Sequence, residues 1–217
     1  ILLGLGGNNT QSVIENIKNQ SFDGVDGVLS VVPYYNKPNQ NGMFAHFKAV
    51  ADASPVPVVL YNVPGRTGVN MQAATTIALS DHNNIVAIKE ASGNIQQIME
   101  ILRDKPSDFT VLSGDDAITQ PLMSLGATGV ISVAANAYPK QFCQMVHKML
   151  DNVYSEALSI HYRLLKMNGL LFADGNPAGV KALMSHIGLC KNVLRLPLVP
   201  VSDTVLEKIK NEYLNIM

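Results

Sequence analysis

The feature that most constrains this chain is a unit that recurs six times: a short apolar run, a polar or Gly/Pro-rich loop, then a segment of helical periodicity. The apolar runs are Ile1 to Leu5, Val28 to Val32, Val56 to Leu60, Ile85 to Ile88, Phe109 to Leu112 and Gly129 to Val133. They are rich in Val, Ile and Leu and lack polar alternation, the pattern of strands buried on both faces. The helical segments between them lie near Thr10 to Gln20, Gly42 to Ala53, Met71 to Leu79, Asn94 to Arg103, Ala117 to Leu125 and Pro139 to Asn152. Strands that alternate with helices pair in parallel, so the fold class is α/β. The unit repeats without a composition shift, and the unusual polar residues all follow strands, where a barrel places its active-site loops. Both observations favour a (β/α)8 TIM barrel over a doubly wound sheet. Six units are two short of eight, and the chain opens at Ile1 without a methionine. The expectation is therefore a partial barrel over residues 1–152, its third to eighth βα units, with the first two preceding Ile1. Beyond it, 153–217 reads as a C-terminal helical region, with helices over Ser155 to Leu171, Pro177 to Ile187 and Asp203 to Met217. Asn176 before Pro177 reads as an N-cap, and Ser202 or Asp203 can cap the last helix.

Composition narrows the function classes. Charged residues make up 15% of the 217, against about 25% in an ordinary globular domain, and the net charge is −1. Nucleic acid and anionic membranes need a concentrated basic face that this chain lacks. With 47% hydrophobic residues, the chain can bury a large core and part of its surface against other subunits. Cys143 and Cys190 form neither a CxxC pair nor a zinc quartet and read as reduced core thiols. The five histidines have no metal-ligand spacing, so no metal is expected. No run is long enough to span a bilayer, which points to the cytoplasm.

Lys89 ends the run Ile85 to Ile88. At a barrel mouth, desolvation disfavours an ammonium and frees the amine to attack a carbonyl. Taken alone, such a lysine reads more readily as a strand-end residue that snorkels to solvent or pairs with Glu90. Tyr61 ends the preceding strand run in the same way, and its phenol suits proton transfer beside an imine-forming lysine. Arg66, in Gly65-Arg66-Thr67-Gly68, carries the side chain suited to a bidentate grip on a carboxylate. Tyr34 and Tyr35, set between prolines, form a rigid aromatic loop that fits a subunit contact. Asp115 or Asp116 caps the helix after Ser113-Gly114. The glycines of Gly4-Leu5-Gly6-Gly7 lack the spacing of a phosphate cradle.

Together, Pro33-Tyr34-Tyr35-Asn36-Lys37-Pro38, Leu60-Tyr61-Asn62-Val63-Pro64-Gly65-Arg66-Thr67-Gly68, Ile88-Lys89-Glu90-Ala91-Ser92-Gly93-Asn94, Ser113-Gly114-Asp115-Asp116 and Gly129-Val130-Ile131-Ser132-Val133 closely resemble the dihydrodipicolinate synthase family, in order and over almost the whole chain. The resemblance implies a TIM barrel and a lysine-dependent class I aldolase mechanism, classed here as a carbon–oxygen lyase. It implies that Lys89 forms an imine with pyruvate, whose enamine attacks aspartate 4-semialdehyde on the route to diaminopimelate and lysine. Tyr61 then transfers protons, and Tyr35 reaches into a neighbouring subunit's site to complete the relay. Arg66 receives the semialdehyde carboxylate, while Gly114 and Ile131 line the pyruvate pocket. The resemblance also implies a homotetramer, a dimer of dimers, with no cofactor beyond the covalent pyruvate. Gly6, Asn8 and Tyr34 match an allosteric lysine site, but Ser12 stands where regulated members carry an acid, so weak or no lysine inhibition is expected. The family's N-terminal Thr-Thr pair has no counterpart in these residues. Related readings are an N-acetylneuraminate lyase or a keto-deoxy sugar-acid aldolase, which generally lack the Gly-Arg-Thr-Gly signature, and a catalytically dead barrel scaffold.

Overall fold

The computed structural model describes residues 1–216. The chain forms two compact units: Ile1–Asp115 with Ser124–Ile131, and Asp116–Met123 with the chain from Ser132 onward.

The first unit is built on a parallel sheet of β1 (Leu2–Gly4), β2 (Gly27–Val31), β3 (Val58–Asn62), β4 (Ile85–Glu90) and β5 (Thr110–Ser113). Its helices are α1 (Thr10–Asn19), α2 (Gln40–Ala53), the short α3 (Pro64–Thr67), α4 (Ala73–Ser80) and α5 (Ile95–Asp104). The strands pair in the order β1-β2-β3-β4-β5, every pair parallel. A doubly wound sheet reverses direction at a switch point, and this one does not. One-way winding, each strand followed by a helix, is the topology of a TIM barrel. Val28, Val58, Leu60, Ile88 and Val111 are fully buried, which is why these runs carry no polar alternation. Each such side chain contributes about 1.5–3 kcal/mol of burial.

Asparagines start three of the helices. The Asn9, Asn39 and Asn94 side chains accept from the backbone N–H of Ser12, Gly42 and Gln97, at 3.1, 2.9 and 3.1 Å. Each cap satisfies a donor that the helix cannot, for about 1 kcal/mol. The cap at Asn39 also starts α2 two residues before the predicted Gly42.

The sequence reading and the fold part at several points. β3 runs past Leu60 to Asn62, because Tyr61 and Asn62 keep their ladder with Lys89 and Glu90. α4 begins at Ala73 rather than Met71, whose N–H donates to Asn62 Oδ1 at 3.0 Å and is thereby held out of the helix. The sixth apolar run forms only an isolated parallel bridge, Ser113 to Val130, flanked by bonds from Ser113 N to Gly129 O and from Ile131 N to Ser113 O. Cys143 is exposed and Cys190 half-buried; both are free thiols, but neither lies in the core.

The second unit is helical: α6 (Thr119–Ser124, of which Ser124 falls in the first unit), α7 (Pro139–Leu150), α8 (Tyr154–Leu170), α9 (Ala178–His186) and α10 (Asp203–Ile216). All three C-terminal helices fall within a residue or so of expectation, apart from the expected end at Met217, which lies outside the described residues. The predicted Asn176 cap is corrected: α9 starts at Ala178 with Pro177 at the cap position, and no side chain caps it. A Cβ on Gly179 would lie 2.2 Å from the Leu171 carbonyl oxygen, so only glycine fits where this helix meets the end of α8. Ser202 Oγ accepts from Val205 N at 3.4 Å, which settles the cap of α10 on Ser202. Asp116, expected with Asp115 as a helix cap, lies inside the turn Asp116–Ile118, and its Oδ2 accepts from Val133 N and Ala134 N at 3.0 and 2.7 Å, which fastens the turn Ala134–Asn136.

No helix among the described residues is long and apolar enough to cross a membrane, and these residues contain no group of three His, Cys, Asp or Glu that could hold a metal ion.

Candidate active site

Tyr61 and Lys89 are register partners at the ends of β3 and β4. Parallel neighbours point to the same face, and the Lys89 Nζ lies 4.3 Å above the centre of the Tyr61 ring. The ammonium meets the negative face of the aromatic system there, an attraction of about 0.5–2 kcal/mol depending on desolvation. Lys89 is only 9% exposed. Burial raises the Tyr61 phenol above its usual value, and the positive charge of Arg66 acts in the opposite direction. The phenol is therefore held as a proton donor beside an amine.

Gly114 follows β5 and packs directly on the lysine. A Cβ there would stand 3.0 Å from both Cγ and Cε of Lys89 and 2.8 Å from Ala91 Cβ. The lysine stem passes over bare backbone because position 114 has no side chain. Ile131 extends the same sheet edge through its bond to the Ser113 carbonyl. Arg66 lies in α3, a single turn opened by Pro64 and closed by Gly68 in the left-handed region, φ 75°. The turn fixes the arginine one loop away from Tyr61.

A second group forms at the ends of β1 and β2. Gly6 sits so close to Val31 that a Cβ would fall 2.9 Å from its Cγ1. Asn36 Nδ2 donates to the Asn8 carbonyl at 2.8 Å, which ties the Tyr34–Asn36 loop to this corner. Tyr35 has φ 71°, a left-handed backbone uncommon for a side chain of this size. Its N–H donates to the Thr67 carbonyl at 3.3 Å, and its ring is 88% exposed. Tyr35 thus stands apart from the buried Lys89 and the half-buried Tyr61, its side chain turned to the surface, and Tyr34 is 44% exposed beside it.

Glu90 is fully buried. Successive strand residues point to opposite faces, so it lies behind the sheet from Lys89. Its carboxylate accepts from Ser92 N at 2.7 Å, from Asn62 Nδ2 at 3.1 and 3.2 Å, and from Gln97 Nε2 at 3.4 Å. Asn70 and the Met71 backbone complete the cluster through Asn62 and Gln97. Burial pushes the Glu90 carboxyl above its usual range, and the Ser92, Asn62 and Gln97 bonds pull it back down. From sequence alone Glu90 reads only as an ion partner for Lys89, and Asn62, Asn70 and Gln97 carry no visible role. The available signal was the pair of dipeptides Tyr61-Asn62 and Lys89-Glu90, each setting a polar residue on both faces of a strand end.

Residues 1–214 match the model of the dihydrodipicolinate synthetase family. A 4-hydroxy-tetrahydrodipicolinate synthase of Phocaeicola vulgatus is 56% identical over 211 residues, which cover 97% of this chain and 71% of that protein. Among solved structures, dihydrodipicolinate synthase from Cyanidioschyzon merolae with lysine bound is 42% identical, with a TM-score of 0.94 over 99% of this chain and 73% of that one. The chloride-inhibited dihydrodipicolinate synthase from Acinetobacter baumannii complexed with pyruvate is 36% identical, with a TM-score of 0.96 over the whole of this chain and 74% of that one. The one-way winding of the sheet, the motifs around Tyr61 and Lys89 and these likenesses agree: the chain belongs to the dihydrodipicolinate synthetase family.

Proposed function

We propose that this chain acts as a 4-hydroxy-tetrahydrodipicolinate synthase, with Lys89 as its nucleophile. The neutral amine of Lys89 adds to C2 of pyruvate, and Tyr61 donates a proton to the departing hydroxyl as the imine forms and water leaves. Loss of a C3 proton gives the enamine, whose C3 attacks the aldehyde carbon of aspartate 4-semialdehyde. The semialdehyde's own amine then attacks the imine carbon, closes the ring and returns Lys89 free. Arg66 holds the semialdehyde carboxylate, and Gly114 and the Ile131 backbone line the pyruvate pocket. Tyr35, exposed and fixed in its loop, serves the site of a neighbouring subunit in a homotetramer built as a dimer of dimers. The covalent pyruvate takes the place of a cofactor, the location is the cytoplasm, and residues 1–152 carry the barrel with 153–217 as its helical extension. The enzyme is a lyase, as expected; the bond that classes the reaction is carbon–nitrogen, in the imine and the closing ring, which corrects the carbon–oxygen class.

The observation that carries this reading is the Lys89 amine 4.3 Å over the Tyr61 ring at two adjacent strand ends. Reductive trapping tests it. Borohydride added to the full-length protein with pyruvate should leave a reduced pyruvyl adduct on the Lys89 peptide, and an intact protein without that adduct rules the mechanism out. Sedimentation tests the tetramer, and a monomer at working concentration refutes it. Gly6, Asn8 and Tyr34 form the proposed lysine site. Ser12, in the first turn of α1, adds no negative charge there, so inhibition at low micromolar lysine would contradict the expected insensitivity.

A further inference from the structure

The proposed reaction uses the odd-numbered face of the two strand ends, Tyr61 and Lys89. It leaves unexplained why the opposite face buries a carboxylate. A buried carboxylate costs several kcal/mol unless it is compensated. Here Glu90 accepts from three residues, two of them on segments that carry or adjoin the site. Asn62 directly follows Tyr61, while Ser92 lies in the loop that follows β4. Asn62 also reaches forward, donating to Asn70 Oδ1 at 2.8 Å and accepting from Met71 N at 3.0 Å, so it grips the end of the Arg66 loop. Gln97 on α5 seals the other side, accepting from Asn70 Nδ2 at 2.7 Å. The backbone repeats the same links: Ala91 N donates to the Asn62 carbonyl at 2.9 Å, and Gly114 N to the Glu90 carbonyl at 2.8 Å. One carboxylate thus meets the strand end of Tyr61, the strand end of Lys89 and, through Asn62, the loop that carries Arg66.

We propose that Glu90 is a positioning residue: its carboxylate, gripped by Asn62, Ser92 and Gln97, sets the relative height of the β3 and β4 ends and so places the Lys89 amine against Tyr61. This rests on the imine reading above. Donor and acceptor polarity is what the hub depends on, since Glu90 meets only donors. An amide at position 90 of the same shape turns an N–H toward one of those donors. A site displaced by about 1 Å loses up to a hundredfold in rate.

The test is a polarity swap read by the rate of pyruvate trapping on Lys89. Glu90→Gln should slow trapping about tenfold or more, with pyruvate saturation little changed, because the pocket itself is intact. Asn62→Asp sets two carboxylates face to face and should slow trapping most at high pH, where both ionise and repel. In the double variant Asn62→Asp/Glu90→Gln the facing donor and acceptor are exchanged, and the trapping rate should return to within about threefold of wild type. A purely structural role would lower melting temperature in all three variants without that recovery. Glu90→Gln trapping at the wild-type rate overturns the proposal, as does a double variant no faster than the slower single one. If Glu90→Gln does not fold, the recovery of Asn62→Asp by the second substitution decides the matter. Wild-type protein runs alongside: absence of its adduct defeats the imine reading itself, whereas a normal wild-type adduct with unaffected variants defeats only the positioning role.

Discussion

The two faces of the β3–β4 strand ends differ by one residue in sequence and by almost everything in chemistry. On one face Tyr61 and Lys89 meet through a cation–π contact, the Lys89 Nζ 4.3 Å from the ring centre, a soft and weakly directional arrangement. On the other, Asn62 and Glu90 are fully buried and tied into a closed set of hydrogen bonds. Groups that react must be able to change partners, and the groups that hold them must not. A parallel sheet supplies both conditions at one place, because consecutive residues face opposite ways.

Substitutions on the reactive face should therefore change rates while leaving stability nearly intact. Tyr61→Phe keeps the ring under the lysine and removes only the hydroxyl; turnover should fall about a hundredfold, with the melting temperature within a few degrees of wild type. Turnover equal to wild type would break the division between the faces. For Arg66→Ala the semialdehyde kcat/KM should drop about tenfold or more, while pyruvate trapping stays near wild type; equal losses in both would remove the arginine from carboxylate binding. Gly114→Ala pushes a methyl group against the lysine stem and should slow trapping about tenfold. A trapping rate unchanged by that methyl group would show that the stem has slack.

His46 sharpens the comparison from the sealed side. It is buried like Glu90, but only Nδ1 has a partner, Thr10 Oγ1 at 2.9 Å, and Nε2 has none among the described residues. Burial without donors or acceptors on that side lowers its pKa from 6.5 to about 4. The folded protein thus resists protonating His46 while the unfolded chain accepts the proton. The stability that depends on neutral His46 is complete above pH 6.5 and drains away as pH falls from 6.5 to about 4. The loss is roughly 2–3 kcal/mol. Urea titrations at pH 7.5 and 4.5 should show a smaller acid loss for His46→Gln than for wild type, and parallel losses would refute the assignment.

The placement of Tyr61 and Lys89 at neighbouring strand ends was legible in the sequence because an apolar run announces a strand, and a lysine or tyrosine at its end breaks the pattern. The sealed face was not. Asn62, Asn70 and Gln97 look locally like loop and cap residues, and what joins them to Glu90 is pairing between segments up to 28 residues apart. The one-way sheet was readable in outline, since repetition of a single unit implies it. The weak sixth run was not, because its residues have strand composition but only Val130 keeps a ladder partner. Cys143 was misplaced for a similar reason: a small apolar residue type in an amphipathic helix, read without the register that turns it to the surface.

Gly114 has a consequence for motion rather than for packing. Imine formation changes the Lys89 nitrogen from tetrahedral to trigonal, and each turn of the proposed cycle changes it twice. Such a change swings the last bonds of the side chain through an arc, and in a close-packed sheet an arc needs reserved volume. A Cβ at position 114 would lie 3.0 Å from Cε and Cγ of Lys89 and crowd that arc. If Lys89 is the nucleophile proposed above, the missing side chain at 114 is the clearance its turnover needs.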